Sequence, residues 1–229
     1  LKIKGNAGQE GQAMEETNIR LAALLEVCQL LEELEVKYAH WHYLFQPLSV
    51  INVHGKMLRK LRLSDLENNQ ARRTMTTHNL RQIQAFCTEL VDIALDVNMY
   101  DTNVSYDLIR PTADVKNRQA SEFLNILARF PNLRKLELTA GTDLAKYPNV
   151  RDKADPDFDS TKVIFKQLNS GKIGLPFHEI TIRIVHCPQP HRNRENHYDP
   201  YYSKSTRVFK YGVNGCDQYK QWGSTRFPK

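Results

Sequence analysis

Phe130-Pro-Asn-Leu-Arg-Lys-Leu-Glu-Leu138 carries its apolar residues at Phe130, Leu133, Leu136 and Leu138. A spacing of three gives way to a spacing of two, the mark of a chain that leaves a helix and enters a strand. The same change recurs at Cys28, Leu31, Leu34 and Val36; at Gly55, Leu58, Leu61 and Leu63; at Cys87, Leu90, Ile93 and Leu95; and at Gly174, Phe177, Ile180 and Ile182. Helical spacing extends each unit upstream. Leu21, Leu24 and Leu25 precede Cys28 by the same offsets as Phe123, Ile126 and Leu127 precede Phe130; Leu80 and Ile83 precede Cys87, and Leu48 and Ile51 precede Gly55, at two of those offsets. In the last unit Phe165 and Leu168 are in phase with Gly171 rather than Gly174, which predicts a three-residue insertion there.

Each unit thus has a strand with one apolar face and a helix with one apolar stripe, and cannot cover either alone. Stacking the units buries both. The expected fold class is α/β: a solenoid with a curved parallel sheet on its concave face at about 4.8 Å strand spacing, helices on its convex face, and right-handed crossovers. Leu1-Lys2-Ile3-Lys4 reads as a truncated first strand. Lys37 to Pro47, Ser64 to Asn79, Asp96 to Ser121 and Thr139 to Thr161 read as long, irregular rim loops, all between a strand and the next helix. Residues 1–184 form the expected solenoid, truncated at its N-terminus, and residues 185–229 a basic, aromatic cap or tail.

The pattern resembles leucine-rich repeats of the cysteine-containing subtype, in which Cys-x-x-Leu-x-x-Leu-x-Leu follows an amphipathic helix; Cys28-Gln-Leu-Leu31-Glu-Glu-Leu34-Glu-Val36 is the nearest match. Leu34, Leu61, Ile93, Leu136 and Ile180 are 27, 32, 43 and 44 residues apart, longer for the most part than the roughly 20–29 of a regular repeat. Loop-inserted repeats of this kind resemble the substrate-binding part of fungal F-box proteins. The resemblance implies a protein-protein interaction module, the substrate-recognition part of an F-box-type subunit of a Skp1-cullin-F-box ubiquitin ligase. It implies two partners, a protein substrate and a Skp1-like adaptor held through an F-box upstream of Leu1. Such a subunit performs no chemistry.

The candidate contacts follow from the predicted surfaces. The concave face is expected to display Lys2 and Lys4, Glu33 and Glu35, Lys60 and Arg62, Asp92 and Asp96, Lys135 and Glu137, then Glu179, Thr181 and Arg183. Its alternating signs serve either a charge-patterned docking surface or a ladder of cross-strand ion pairs that forbids wrong registers. Arg62 and Arg183 are the long cations of that surface. On the first rim loop, Trp41, His42 and Tyr43 lie in a dense aromatic run that is either a binding hot spot or a satellite core. Tyr100 and Tyr106 in the third loop have the same double reading.

Composition narrows the class further. The 229 residues are 41% hydrophobic and 25% charged, ordinary for a globular chain. No apolar run reaches the roughly 18 residues of a membrane span, and the start lacks the apolar core of a signal peptide. No membrane partner is expected. The chain begins without Met, at what reads as the end of a repeat, so a longer protein with further repeats upstream is expected. Cys28 and Cys87 occupy equivalent places and read as buried thiols, which persist in the cytoplasm or nucleus.

No catalytic site, metal site or cofactor is expected. Asp155, Asp157 and Asp159 begin like a calcium loop, but Ser160 replaces the turn glycine and Lys166 the closing glutamate. His186, Cys187, His191, His197 and Cys216 match no zinc spacing. No phosphate loop, nucleophile elbow or His-Glu-x-x-His helix is present. Of the net charge of +6, most belongs to the tail, where eight Lys/Arg stand against three Asp/Glu from Val185 onward. Arg192, Arg194, Lys204, Arg207, Lys210 and Lys220 interleave there with Tyr198, Tyr201, Tyr202, Tyr211, Tyr219 and Trp222. Nucleic acid binding through this tail, as a ribonucleoprotein scaffold, is the second functional reading. Equally, Val208 to Tyr219 reads as a hairpin around Asn214-Gly215 that caps the open sheet edge.

Overall fold

The computed structural model describes residues 1–5, 20, 23–25, 27–28, 30–38, 53–64, 76–97, 118–143, 156–187 and 205–222. They form strands β1 (Lys2–Gly5), β2 (Glu33–Tyr38), β3 (Lys60–Ser64), β4 (Asp92–Val97), β5 (Lys135–Asp143), β6 (Glu179–Cys187), β7 (Ser205–Gly212) and β8 (Gly215–Trp222), with helices α1 (Thr77–Phe86), α2 (Arg118–Ala128) and α3 (Pro156–Ser170). One eight-stranded sheet holds all the strands in chain order. From β1 to β6 every pair is parallel; β6, β7 and β8 pair antiparallel. The fold is α/β, with a mostly parallel sheet and helices packed on one face of it.

The register follows the sequence repeat. Leu34 pairs with Leu61, Leu61 with Ile93, Ile93 with Leu136 and Leu136 with Ile180. A one-residue slip would turn every one of these side chains to the opposite face. Leu136 is 2% exposed, and Val36, Leu63, Leu95, Leu138 and Ile182 line the same buried layer. From the helix side that layer receives Leu80 and Ile83 of α1, Phe123, Ile126 and Leu127 of α2, and Ile164 and Leu168 of α3.

A backbone motif repeats at each step. The residue just before a strand accepts two N–H groups from the start of the next: Glu32 from Arg59 and Lys60, Arg59 from Val91 and Asp92, Val91 from Arg134 and Lys135, and Arg134 from His178 and Glu179. Four successive joints are therefore built alike, although 27 to 44 residues separate the strands.

Local chemistry sets the helix ends. Thr76 caps α1, accepting the Asn79 N–H at 3.1 Å, and the Cys87 N–H closes its other end on the Ile83 carbonyl at 2.8 Å. Pro156 opens α3, where the missing N–H costs nothing. Asp157 and Asp159 thus lie on a helix, not in the rim loop expected over Thr139 to Thr161. Two rim segments are also shorter than expected, because α2 begins at Arg118 and α3 at Pro156.

The insertion at 171–174 has a structural purpose. Its Ile173 N–H bonds the Ala128 carbonyl at 3.0 Å and the Leu175 N–H bonds that of Pro131 at 2.9 Å, so the extra residues fasten the end of α2. Gly174 has φ +81°, and a Cβ there would lie 2.4 Å from the Pro131 oxygen. Only glycine fits.

Other expectations change. Leu24 is 47% exposed although Leu25 is buried, and Cys28 is half-buried. Among the described residues this first unit has a neighbouring unit with a helical segment on one side only, so part of its stripe has nothing to pack on. At the other end the hairpin around Asn214-Gly215 is present, and it extends the sheet beyond β6. The sheet runs unbroken across position 184, because β6 continues to Cys187.

Candidate functional site

The sheet face opposite the helices carries the polar residues of each strand. Parallel register lays them out in rows: Glu33, Lys60, Asp92, Lys135 and Glu179 in one, Lys2, Glu35, Arg62, Ala94, Glu137 and Thr181 in the next. Opposite charges meet across strands. Lys2 bonds Glu35 at 2.6 Å and Lys60 bonds Glu33 at 3.3 Å.

Arg62 is the centre of this face. Its Nη2 donates to both Asp92 oxygens at 3.0 and 3.1 Å, and its Nη1 reaches Glu137 at 3.4 Å. Glu137 lies two strands away, in register with Arg62 through Ala94. The small Ala94 side chain lets the guanidinium cross β4; a longer residue would stand in its way. Glu137 also accepts from Arg183 Nε, which links β3, β4, β5 and β6 through side chains alone. Burial lowers the Arg62 pKa, but the hydrogen bond and charge of Asp92, with Glu137 and Glu35, more than offset it, and the net shift is upward. Its Nε is buried without a partner.

Of the seven residues singled out from the sequence, the fold brings Arg62 and Arg183 together on one acceptor, Glu137. Trp41, His42, Tyr43, Tyr100 and Tyr106 lie outside the described residues.

Two residues expected on display are not. Asp96 is 1% and Thr181 3% exposed, and Val185 and Val208 on the same face are buried as well. Short side chains between long, ion-paired ones are covered by their neighbours, as Thr181 is between Glu137, Glu179 and Arg183. The open part of the face therefore lies along the row from Glu33 to Glu179, near the starts of the strands.

The tail changes character too. Phe209 and Tyr211 are buried, and Tyr211 stacks on Phe165 with ring centroids 4.8 Å apart while its hydroxyl meets that of Thr161. A ring fixed against α3 is not available to stack on a base.

Sequence reasoning missed Ala94, whose signal was a small residue between Asp92 and Asp96, and it missed His54. The latter is buried, with Nδ1 accepting the Leu31 N–H at 3.4 Å and Nε2 donating to the Leu25 carbonyl at 2.7 Å. Those roles require the neutral Nε2–H ring, which ties the second unit to the first. No periodicity marks such a residue.

Burial pushes the Cys87 thiol up to about 12, the opposite of an activated nucleophile. Among the described residues no three His, Cys, Asp or Glu side chains are grouped to hold a metal, and no helix is long and apolar enough to cross a membrane. No protein-family model, curated protein or solved structure matches the chain.

Proposed function

We propose that the chain is a leucine-rich-repeat solenoid that binds a protein partner, acting in the cytoplasm or nucleus as the substrate-recognition part of an F-box-type ubiquitin ligase subunit. In this reading the charged sheet face is concave, the helices are convex, and an upstream F-box holds a Skp1-like adaptor. The subunit performs no catalysis; it presents a substrate to the ligase. One observation carries the reading. Six parallel strands stand in chain order, five of them with a leucine or isoleucine in register, and the face away from the helices is a lattice of charges anchored on Arg62 and Glu137.

The full-length protein tests it by affinity purification. Skp1 is expected to co-purify, together with a substrate that Arg62→Glu/Arg183→Glu releases while Skp1 is retained. Absence of Skp1 removes the ligase assignment. Salt-sensitive RNA binding that disappears when Arg192, Arg194 and Lys204 are replaced by Ser would put the ribonucleoprotein reading in its place.

A further inference from the structure

Four cations of the sheet face are already engaged. Lys2, Lys60, Arg62 and Arg183 each hold a carboxylate. A second set, at the edge where the strands begin, is arranged differently. The repeated backbone motif begins at the exposed Glu32 and from there strings Arg59, Val91, Arg134 and His178 into one row, each bonded to the next through main-chain groups at 2.7 to 2.9 Å. At about 4.8 Å per strand the row spans roughly 14 Å.

Arg59, Arg134 and His178 are exposed, as is Lys135 beside them, and none makes an ion pair among the described residues. Lys135 shows why. Its register neighbours are Asp92 and Glu179, but both Asp92 oxygens are taken by Arg62 and Glu179 accepts from Thr181. A cross-strand ladder that only set register would pair these charges as the sheet face does. Here like charges stand two strands apart with nothing between them but Val91, an arrangement that repels itself until an anion arrives.

Ile173 and Leu175, both exposed, lie in the adjoining turn, where the Leu175 N–H bonds the Pro131 carbonyl. They offer apolar area beside the cations, which suits a peptide side chain and gives nothing to a phosphate.

From this we infer that the strand-start edge docks an acidic, extended segment of a protein partner. About four residues of extended chain, at roughly 3.3 Å each, cover the distance from Arg59 to His178. The carboxylates meet Arg59, Arg134 and Lys135, and an apolar neighbour in the segment meets Leu175. This surface shares Lys135 with the charged sheet face but not Arg62, Glu137 or Arg183, so loss of the Skp1 interaction would leave it standing.

Fluorescence polarisation with a labelled oligo-glutamate peptide tests the inference. The wild-type protein binds at low salt and weakens as salt is raised. Arg59→Glu/Arg134→Glu lowers affinity by about tenfold or more, Arg59→Lys/Arg134→Lys keeps most of it, and Lys162→Glu/Lys166→Glu, an equal charge change on α3, alters it by less than about twofold. Circular dichroism confirms that the variants fold. The inference is overturned if the wild-type protein does not bind, if the two charge reversals weaken binding equally, or if a single-stranded oligonucleotide of matching charge binds more tightly than the peptide.

Discussion

At Leu30 the backbone has φ 57°, and it is the one non-glycine residue with positive φ among those described. A leucine held there costs about 1 kcal/mol, and its exposed side chain returns little of that. Leu30→Gly or Leu30→Asn is therefore expected to raise the melting temperature, whereas an unchanged or lower value would mean that the side chain packs usefully. Gly174→Ala should do the reverse. It combines the left-handed backbone with a collision at the Pro131 carbonyl, and a loss of about 2 kcal/mol or more is expected in urea titration.

Lys172 supplies a pH signature at the same scale. Its ammonium donates to the carbonyls of Phe130 at 2.5 Å and Ile173 at 2.9 Å and lies 5.1 Å from the centre of the Phe177 ring, with no carboxylate among these contacts. Burial lowers its pKa to about 8. Between that value and the unfolded value near 10.4 the unfolded chain binds more protons, so this residue's contribution makes stability rise with pH. Below pH about 8 the penalty is present in full. Melting temperatures measured on either side of the window should show the rise in the wild type and lose it in Lys172→Met.

Single elements owe their places to a few contacts that the repeat alone does not specify. The β7–β8 hairpin is held by its pairing to β6 and by Tyr211, whose ring stacks on Phe165 and whose hydroxyl meets Thr161 of α3. Tyr211→Phe keeps the stacking and removes the hydroxyl pair with the buried Thr161. A loss of about 1–2 kcal/mol is expected, with faster hydrogen exchange in β7 than in β2. Across the sheet, Ala94→Glu places a carboxylate in the path of the Arg62 guanidinium. The new acid competes for Arg62 and should separate it from Glu137, which a double-mutant cycle between Arg62 and Glu137 would register as a reduced coupling energy. Helix stripes were readable in α1 and α2, where Leu80, Ile83, Phe123, Ile126 and Leu127 are buried, and misleading at Leu24, which is exposed.

For the whole molecule, strand order equals chain order, so each strand pairs only with its sequence neighbours. Damage to one strand should fade with distance. Leu136→Ala in β5 is expected to cost about 2–5 kcal/mol, and exchange protection should fall most in β4 to β6 and least in β1 and β2. The sequence alone determined the strands, their register and their helix-facing apolar residues, because a parallel stack repeats one environment and that environment selects Leu, Ile or Val at the same two positions each time. It also located the insertion at 171–174 and the hairpin turn at Asn214-Gly215. Three things were decided only by tertiary structure: which charges pair, which are covered, and which are left open. Arg62 takes Asp92 from Lys135, Ala94 lets it reach on to Glu137, and Asp96 and Thr181 are buried. These outcomes depend on side-chain reach across strands that are 27 to 44 residues apart in the chain, and hydrophobic periodicity carries no record of reach.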